Sequence, residues 1–300
     1  MKKKVNTFFL DAFRGDWGFV TGASSGIGRA YAERLASAGM NLVLIARGRD
    51  RLRLAAQELE DRYGIQTHVL SLDLSVPGCV PILKQFVDER GLRIRFLCHA
   101  AGSSFWGRFI DGEASLYAGM VEVHVTTIID LMLSFHDDLA SHQTSAAVIV
   151  SSRAGHHPLP NMAVYGAVKA FSCSLSQALF SEWEKEGIQV QALMPGAVDT
   201  NLFENRRLLA EGVIKKTDLQ SPQQVVEQSV RGLQRHVPKL FTGTGVWFQR
   251  ICFTLFPAEI FLRAVYKNFI RRSPPTPIHR TVIEEALNSK KYADVERVLR

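Results

Sequence analysis

The chain has 300 residues, a formal net charge of +7, 46 % hydrophobic residues and 22 % charged ones. That composition excludes general disorder and provides for a core that needs no covalent staples. Four scattered cysteines (Cys79, Cys98, Cys173, Cys252) form no CxxC pair, which argues against a disulfide scaffold or a structural zinc site.

The basic excess favours anionic partners (phosphate, nucleic acid or lipid headgroup) without choosing among them. The opening segment 1–17 starts with lysines, but Asp11 and Arg14 break its apolar run and no small-residue cleavage site follows. A secretory signal is therefore not expected. The nearest approach to a membrane span is 251–270, interrupted by Pro257, Glu259, Arg263 and Lys267, so a transmembrane helix is not expected either. The expected location is cytoplasmic, in a reducing compartment, with peripheral contact at a membrane surface left open.

Strand-like apolar runs at 17–21, 42–46, 66–70, 94–98, 146–151 and 189–194 alternate with amphipathic stretches at 28–38, 51–63, 79–89, 114–140 and 162–186. The alternation predicts βα units and an α/β fold with a doubly wound parallel sheet. Gly39 and Gly64 fall where helix C-caps favour a residue tolerating positive φ. The expected division is a nucleotide-binding domain over 1–240 and a helical extension over 241–300, whose break SPPTP precedes a final tail.

After the first strand, VTGASSGIGRA opens a helix. Gly22, Gly26 and Gly28 permit a tight turn that brings backbone N–H groups against a pyrophosphate, aided by the helix N-terminus. A glycine-rich turn without a ligand is the plain alternative. The second strand ends in LIAR, nineteen residues past Gly28, where a site for NAD would carry an acidic residue. Arg47 stands there instead, and a guanidinium binds a 2′-phosphate that a carboxylate would repel, favouring NADP. Arg47 is alternatively a solvated first-turn residue beside Arg49, Arg51 and Arg53. Asp73, in LDLS, is placed for adenine or for an Asx turn.

Tyr165 and Lys169 are four apart in a helical stretch and share a face. Ser152 ends the fifth strand, at the sheet edge where open parallel sheets bind ligands. Lowering a tyrosine pKa from about 10 to about 7 takes roughly 4 kcal/mol of preference for the phenolate. One ammonium about 4 Å away contributes an amount of that order. The pair thus forms an acid–base group and Ser152 a hydrogen-bond donor to a substrate oxygen. Each also has an ordinary reading, as a half-buried tyrosine, a solvated lysine and a turn serine.

These motifs together resemble the short-chain dehydrogenase/reductase family over about 17–202. TGASSGIG is similar to its cofactor turn, which adds Ser24, Ser25 and Ile27 to the glycines. LDLS resembles its adenine-contacting segment and HAAG, with Ala100, Ala101 and Gly102, its NNAG segment. MPGAVDT resembles the loop over the nicotinamide, with Pro195, Gly196, Val198 and Thr200. The resemblance implies an NADP-dependent reduction of a carbonyl, or oxidation of the alcohol. Tyr165 would handle the proton, Lys169 would also bind the ribose, Ser152 would orient the carbonyl, and Thr200 would contact the carboxamide. LIARGRDRL and AYAERLASAGMNLVL further resemble lipid and steroid ketone reductases, including very-long-chain 3-oxoacyl reductases.

Two positions depart from the family pattern: His99 and His124 replace asparagines. In the family the second asparagine distorts its helix and holds a water linking the lysine to solvent. His124 is expected to preserve that relay through its main-chain carbonyl, to block it, to titrate near pH 6.5 as a catalytic group, or simply to pack. The alternative function is accordingly an NADPH-binding sensor or scaffold with little catalysis.

The segment 201–216, with Phe203, Leu208, Leu209, Val213 and Ile214, is expected to close the pocket over a hydrophobic small-molecule carbonyl substrate. His156 and His157 do not share a helical face, and no metal site is expected. Over 241–272, Glu259, Arg263, Lys267 and Arg271 form a polar stripe opposite Phe261, Leu262, Val265 and Phe269. This amphipathic pattern fits a membrane interface, a pocket cap or a subunit contact. A homo-oligomer is expected, and nucleic acid binding is not.

Overall fold

The computed structural model describes residues 8–200 and 219–243, together with Arg263. Seven strands among the described residues form one parallel sheet: β1 (Trp17–Thr21), β2 (Asn41–Ala46), β3 (Thr67–Ser71), β4 (Ile94–His99), β5 (Ser145–Val150), β6 (Ile188–Met194) and β7 (Lys239–Phe241). Their order is β3-β2-β1-β4-β5-β6-β7. The direction of winding reverses between β1 and β4. Thr21 pairs with Ile45 on one side and His99 on the other, so three strand ends align at that reversal. A crevice at the carboxyl ends of the strands follows from this topology.

Each central strand alternates between two hydrophobic layers, as the two-residue period requires. Val20, Leu42, Leu44, Phe96, Val148 and Leu193 meet one layer, closed by α2 (Gly26–Ser37), α3 (Arg49–Tyr63) and, late in the chain, α8 (Pro222–Leu233). Phe19, Val43, Ile45, Leu97, Ile149 and Val190 meet the other. That layer is closed by α4 (Cys79–Glu89), α6 (Thr127–Ala140) and the end of α7 (Ala163–Trp183). α3 stops at Gly64, at φ 65°, whose N–H reaches Glu60 O. α8 begins in a capping box between Ser221 and Gln224, with Pro222 in its first turn.

Three features differ from the sequence expectation. α8 and β7 are not among the expected elements: β7 adds a seventh strand, pairing with β6 from Ala192↔Lys239 to Met194↔Phe241. The stretch 114–140 is not one α-helix. It comprises α5 (Ala114–Val121) and α6, joined by a π turn at Glu122–Thr126. This composite helix, Ala114–Ala140, is also long and apolar enough to cross a membrane by length and composition, more so than the expectation for the chain allowed. Its inner face packs on the sheet through Leu131, Phe135 and Leu139, whereas Ile129 and Leu133 are exposed.

Beyond Thr200 the residues 201–218 lie outside the description, including the expected pocket lid. Their two ends are joined: Val198 bridges Gln220, Asp199 N donates to Gln220 O, and Gln220 N donates to Ala197 O. The amphipathic segment expected over 241–272 also lies outside the described residues apart from its first three and Arg263.

Candidate active site

A cleft of about 980 Å³ opens over the carboxyl ends of the strands. Its first wall is the turn after β1, where Gly22, Ser24, Ser25, Gly26, Ile27 and Gly28 all face the cavity. Gly22 sits at φ 67°, and a Cβ there would lie 2.9 Å from Ala100 C and Ala101 N. A Cβ on Gly28 would strike the Gly22 carbonyl. Close backbone packing, rather than flexibility, therefore demands these glycines. The N-terminus of α2 begins at Gly26 and points its free amides into the same cradle.

Beyond β2 the wall continues through Arg47, Gly48 and Arg51. Arg51, in the first turn of α3, is a lining residue that the LIAR motif alone does not single out. Its position three residues past the α3 N-cap, Gly48, was the available signal. Asp73 also faces the cleft, and its Oδ1 accepts from Ser75 N at 3.0 Å and Ser75 Oγ at 2.7 Å. The Asx turn and the cleft position thus coexist. Ala100, Ala101 and Gly102 form the floor after β4, and Pro195, Gly196, Val198 and Thr200 line the far side after β6.

Ser152, Tyr165 and Lys169 come together where β5 meets α7. Lys169 is buried, and its Nζ donates to Val150 O at 2.7 Å. In return Ser151 Oγ donates to Lys169 O at 2.6 Å, pinning α7 to the end of β5. Burial lowers the Lys169 pKa from 10.5 to about 7. Its Nζ lies 5.6 Å from the centre of the Tyr165 ring. A full charge at that distance is worth about 3 kcal/mol at an effective dielectric near 20, close to what a reactive phenol requires. Ser152 Oγ accepts from Ala154 N at 3.1 Å, which uses one lone pair and leaves the hydroxyl proton able to point at a ligand.

His124 lines the cleft from the π turn, with its ring edge-on to Tyr165 at 6.1 Å. It is buried, and Nε2 lies 2.9 Å from Ser103 O and 3.2 Å from Ser103 N. Burial and the nearby Lys169 hold its pKa well below 6.5. The expectation of a group titrating near pH 6.5 is therefore corrected: the ring is neutral at working pH because the site gives it no solvent and no counter-charge. The helix distortion persists with histidine in the asparagine's place. His99 lies behind the site, buried between Thr21 and Val123. No cluster of three or more metal-ligating side chains exists among the described residues.

The family model for short chain dehydrogenase matches residues 17–209. A 7beta-hydroxysteroid dehydrogenase of Collinsella aerofaciens is 31 % identical over 186 residues, covering 62 % of this chain and 70 % of that one. The very-long-chain 3-oxoacyl-CoA reductase of Rattus norvegicus is 29 % identical over 206 residues, covering 67 % of this chain and 65 % of its own length. Among solved structures, a short-chain dehydrogenase from Sphingobium yanoikuyae in complex with NADPH superposes with a TM-score of 0.70. It is 29 % identical, over 83 % of this chain and 95 % of that one. With the glycine turn, the buried lysine and the tyrosine in one cleft, these matches make the chain a member of the short-chain dehydrogenase family.

Proposed function

We propose that the protein is an NADP-dependent oxidoreductase that reduces a ketone, or oxidises the corresponding alcohol, of a hydrophobic substrate. The observation that carries this reading is the convergence of Ser152, Tyr165 and Lys169 with the glycine turn in one cleft. The cradle fits a dinucleotide, because the glycines let the turn pack onto the Ala100–Ala101 floor while the turn and the α2 N-terminus line the cleft. Gly22, Gly26 and Gly28 would hold the pyrophosphate and Asp73 the adenine. Arg47, with Arg51 beside it, would hold the 2′-phosphate.

Bound NADPH would supply a hydride from its nicotinamide ring. Tyr165 donates the proton to the substrate oxygen, Ser152 orients that oxygen, and Lys169 stabilises the phenolate left behind. Lys169, on α7 and anchored to the Val150 carbonyl of β5, would hold the ribose, and Thr200 and Gly196 would shape the nicotinamide end. A hydrophobic carbonyl substrate is supported by the steroid and 3-oxoacyl names of the relatives. The exposed Ile129 and Leu133 support a homo-oligomer with α6 at the interface.

The sensor or scaffold reading loses support where His124 leaves Tyr165, Lys169 and Ser152 facing the cleft. The test is NADPH oxidation with 3-oxoacyl thioesters, steroid ketones and aldehydes, using wild type and Tyr165→Phe. Turnover is expected with wild type only, while both proteins bind NADPH. Turnover by the Tyr165→Phe variant at the wild-type rate overturns the proton-donor assignment. Tight NADPH binding by wild type without turnover on any substrate favours the sensor.

A further inference from the structure

We propose that His99 is a positioning residue, which joins the cofactor loop to the π turn through a single neutral tautomer. This rests on the cofactor reading above.

The tautomer follows from counting donors. A hydroxyl has one proton and two lone pairs. Thr21 Oγ1 accepts from Ala100 N and from Ala101 N, both at 3.1 Å, so both lone pairs are occupied. Its proton therefore goes to His99 Nδ1, 3.1 Å away, which must be unprotonated. The other nitrogen, Nε2, lies 3.1 Å from Val123 O. A carbonyl only accepts, so Nε2 carries the proton. One tautomer satisfies all four contacts, and protonation of Nδ1 would break one of them. Burial favours the same neutral ring.

The Val123 carbonyl explains why a donor is needed there. In an α-helix it would accept from Thr127 N. Across the π turn Thr127 N bonds to Glu122 O instead. The wide turn thus releases one buried carbonyl, and His99 supplies its donor. Without that bond the carbonyl is unpaired, and closing the turn to α geometry is the route that pairs it again. Closing it removes one residue from the turn and rotates α5 by about 100° relative to α6. Leu116 and Gly119 on α5 and His124 in the turn line the cleft and would all be displaced.

The other end of the clamp is the cofactor loop. Thr21 precedes Gly22, and the two amides that it receives belong to the floor that Gly22 packs against. His99 does not itself face the cleft. It acts through Thr21 on one side and Val123 on the other.

Two substitutions divide these roles. Asparagine places a polar atom near the Nδ1 position but does not reach Val123 O. Glutamine reaches the Nε2 position but does not present an acceptor where Nδ1 was. His99→Asn, His99→Gln and His99→Leu are compared by hydrogen exchange, NADPH fluorescence titration and steady-state kinetics. His99→Asn is expected to speed exchange at least tenfold over 122–128 only. It lowers kcat at least tenfold and leaves the NADPH Kd within threefold. His99→Gln is expected to speed exchange over 100–102 only and to raise the NADPH Kd at least tenfold. His99→Leu should do both. The proposal is overturned if the Asn and Gln variants loosen the same segment, or if both exchange at wild-type rates. A wild type that binds no NADPH sinks the cofactor reading instead, and the exchange pattern still decides the clamp.

Discussion

Gly22 and Gly64 allow the contact argument for the cofactor turn to be separated from backbone strain. Gly22 has φ 67° and Gly64 has φ 65°, so alanine at either site pays the same left-handed penalty. That penalty is about 1–2 kcal/mol. Only the surroundings differ. Nothing lies within 4 Å of a Cβ on Gly64, whereas a Cβ on Gly22 would sit 2.9 Å from Ala100 C and Ala101 N. Both atoms are backbone and cannot swing aside, so the floor must move by roughly 0.5 Å, at an overpacking cost of about 1–3 kcal/mol. Thermal unfolding should then show Gly64→Ala lower by about 2–4 °C and Gly22→Ala lower by about 4–10 °C. NADPH fluorescence titration should show an affinity loss of at least tenfold for Gly22→Ala and none for Gly64→Ala. Equal Tm losses, or an NADPH affinity for Gly22→Ala within threefold of Gly64→Ala, would refute the idea that close packing at the turn shapes the cofactor site.

Three further expectations follow from other residues. Arg47→Ala should weaken NADPH binding by about 10- to 100-fold, the scale of a lost charged hydrogen bond, and leave NADH binding within threefold; equal losses for both cofactors would remove Arg47 from the 2′-phosphate site. Lys169 holds its proton only below about 7 in the folded protein but to about 10.5 when unfolded. Its contribution to stability is therefore complete above pH 10.5 and is lost as pH falls to 7. Between pH 7 and 9 the cofactor-free wild type should gain about 2 kcal/mol relative to Lys169→Met in denaturant titrations, and parallel curves would contradict the lowered pKa of the buried lysine. Leu133→Glu puts a charge on a side chain that is 72 % exposed on α6, and sedimentation should show a smaller assembly with NADPH binding intact; an unchanged mass would move the interface elsewhere.

Most of the sheet was legible because buried parallel strands combine apolar runs with turn residues at their ends. The run 94–98 differs from β4 only by His99, which reads as polar but is buried by its bonds to Thr21 and Val123. β7 was missed because three residues, Lys239 to Phe241, carry no measurable period; β6 and the preceding α8 create the strand. The start of α8 did have a local signal, Ser221 followed by Pro222 and Gln224. The π turn had none. The apolar period runs on through 114–140, so only the resemblance at His124 pointed to a distortion. The donor that meets the Val123 carbonyl comes from His99, 24 residues away in sequence. At the site, the glycines, Tyr165, Lys169 and Ser152 announced themselves by spacing. The neutral state of His124 did not, since a pKa is set by what surrounds the ring rather than by its neighbours in the chain.

The stem at Val198 and Gln220 has a consequence for how such a chain diversifies. The bridge and its two flanking bonds fasten both ends of the intervening segment at one point, between Thr200 at the cleft and the capping box of α8. Residues inserted or replaced inside that fastening do not change the path of β6 or the start of α8. Doubling the length of such a closed loop costs only about 0.6 kcal/mol. The residues between these two ends, expected from the sequence to border the substrate, are thus an exchangeable cassette on a constant frame. New specificities can be tried there by grafting whole segments between Thr200 and Leu219, without retuning the machinery that handles the proton.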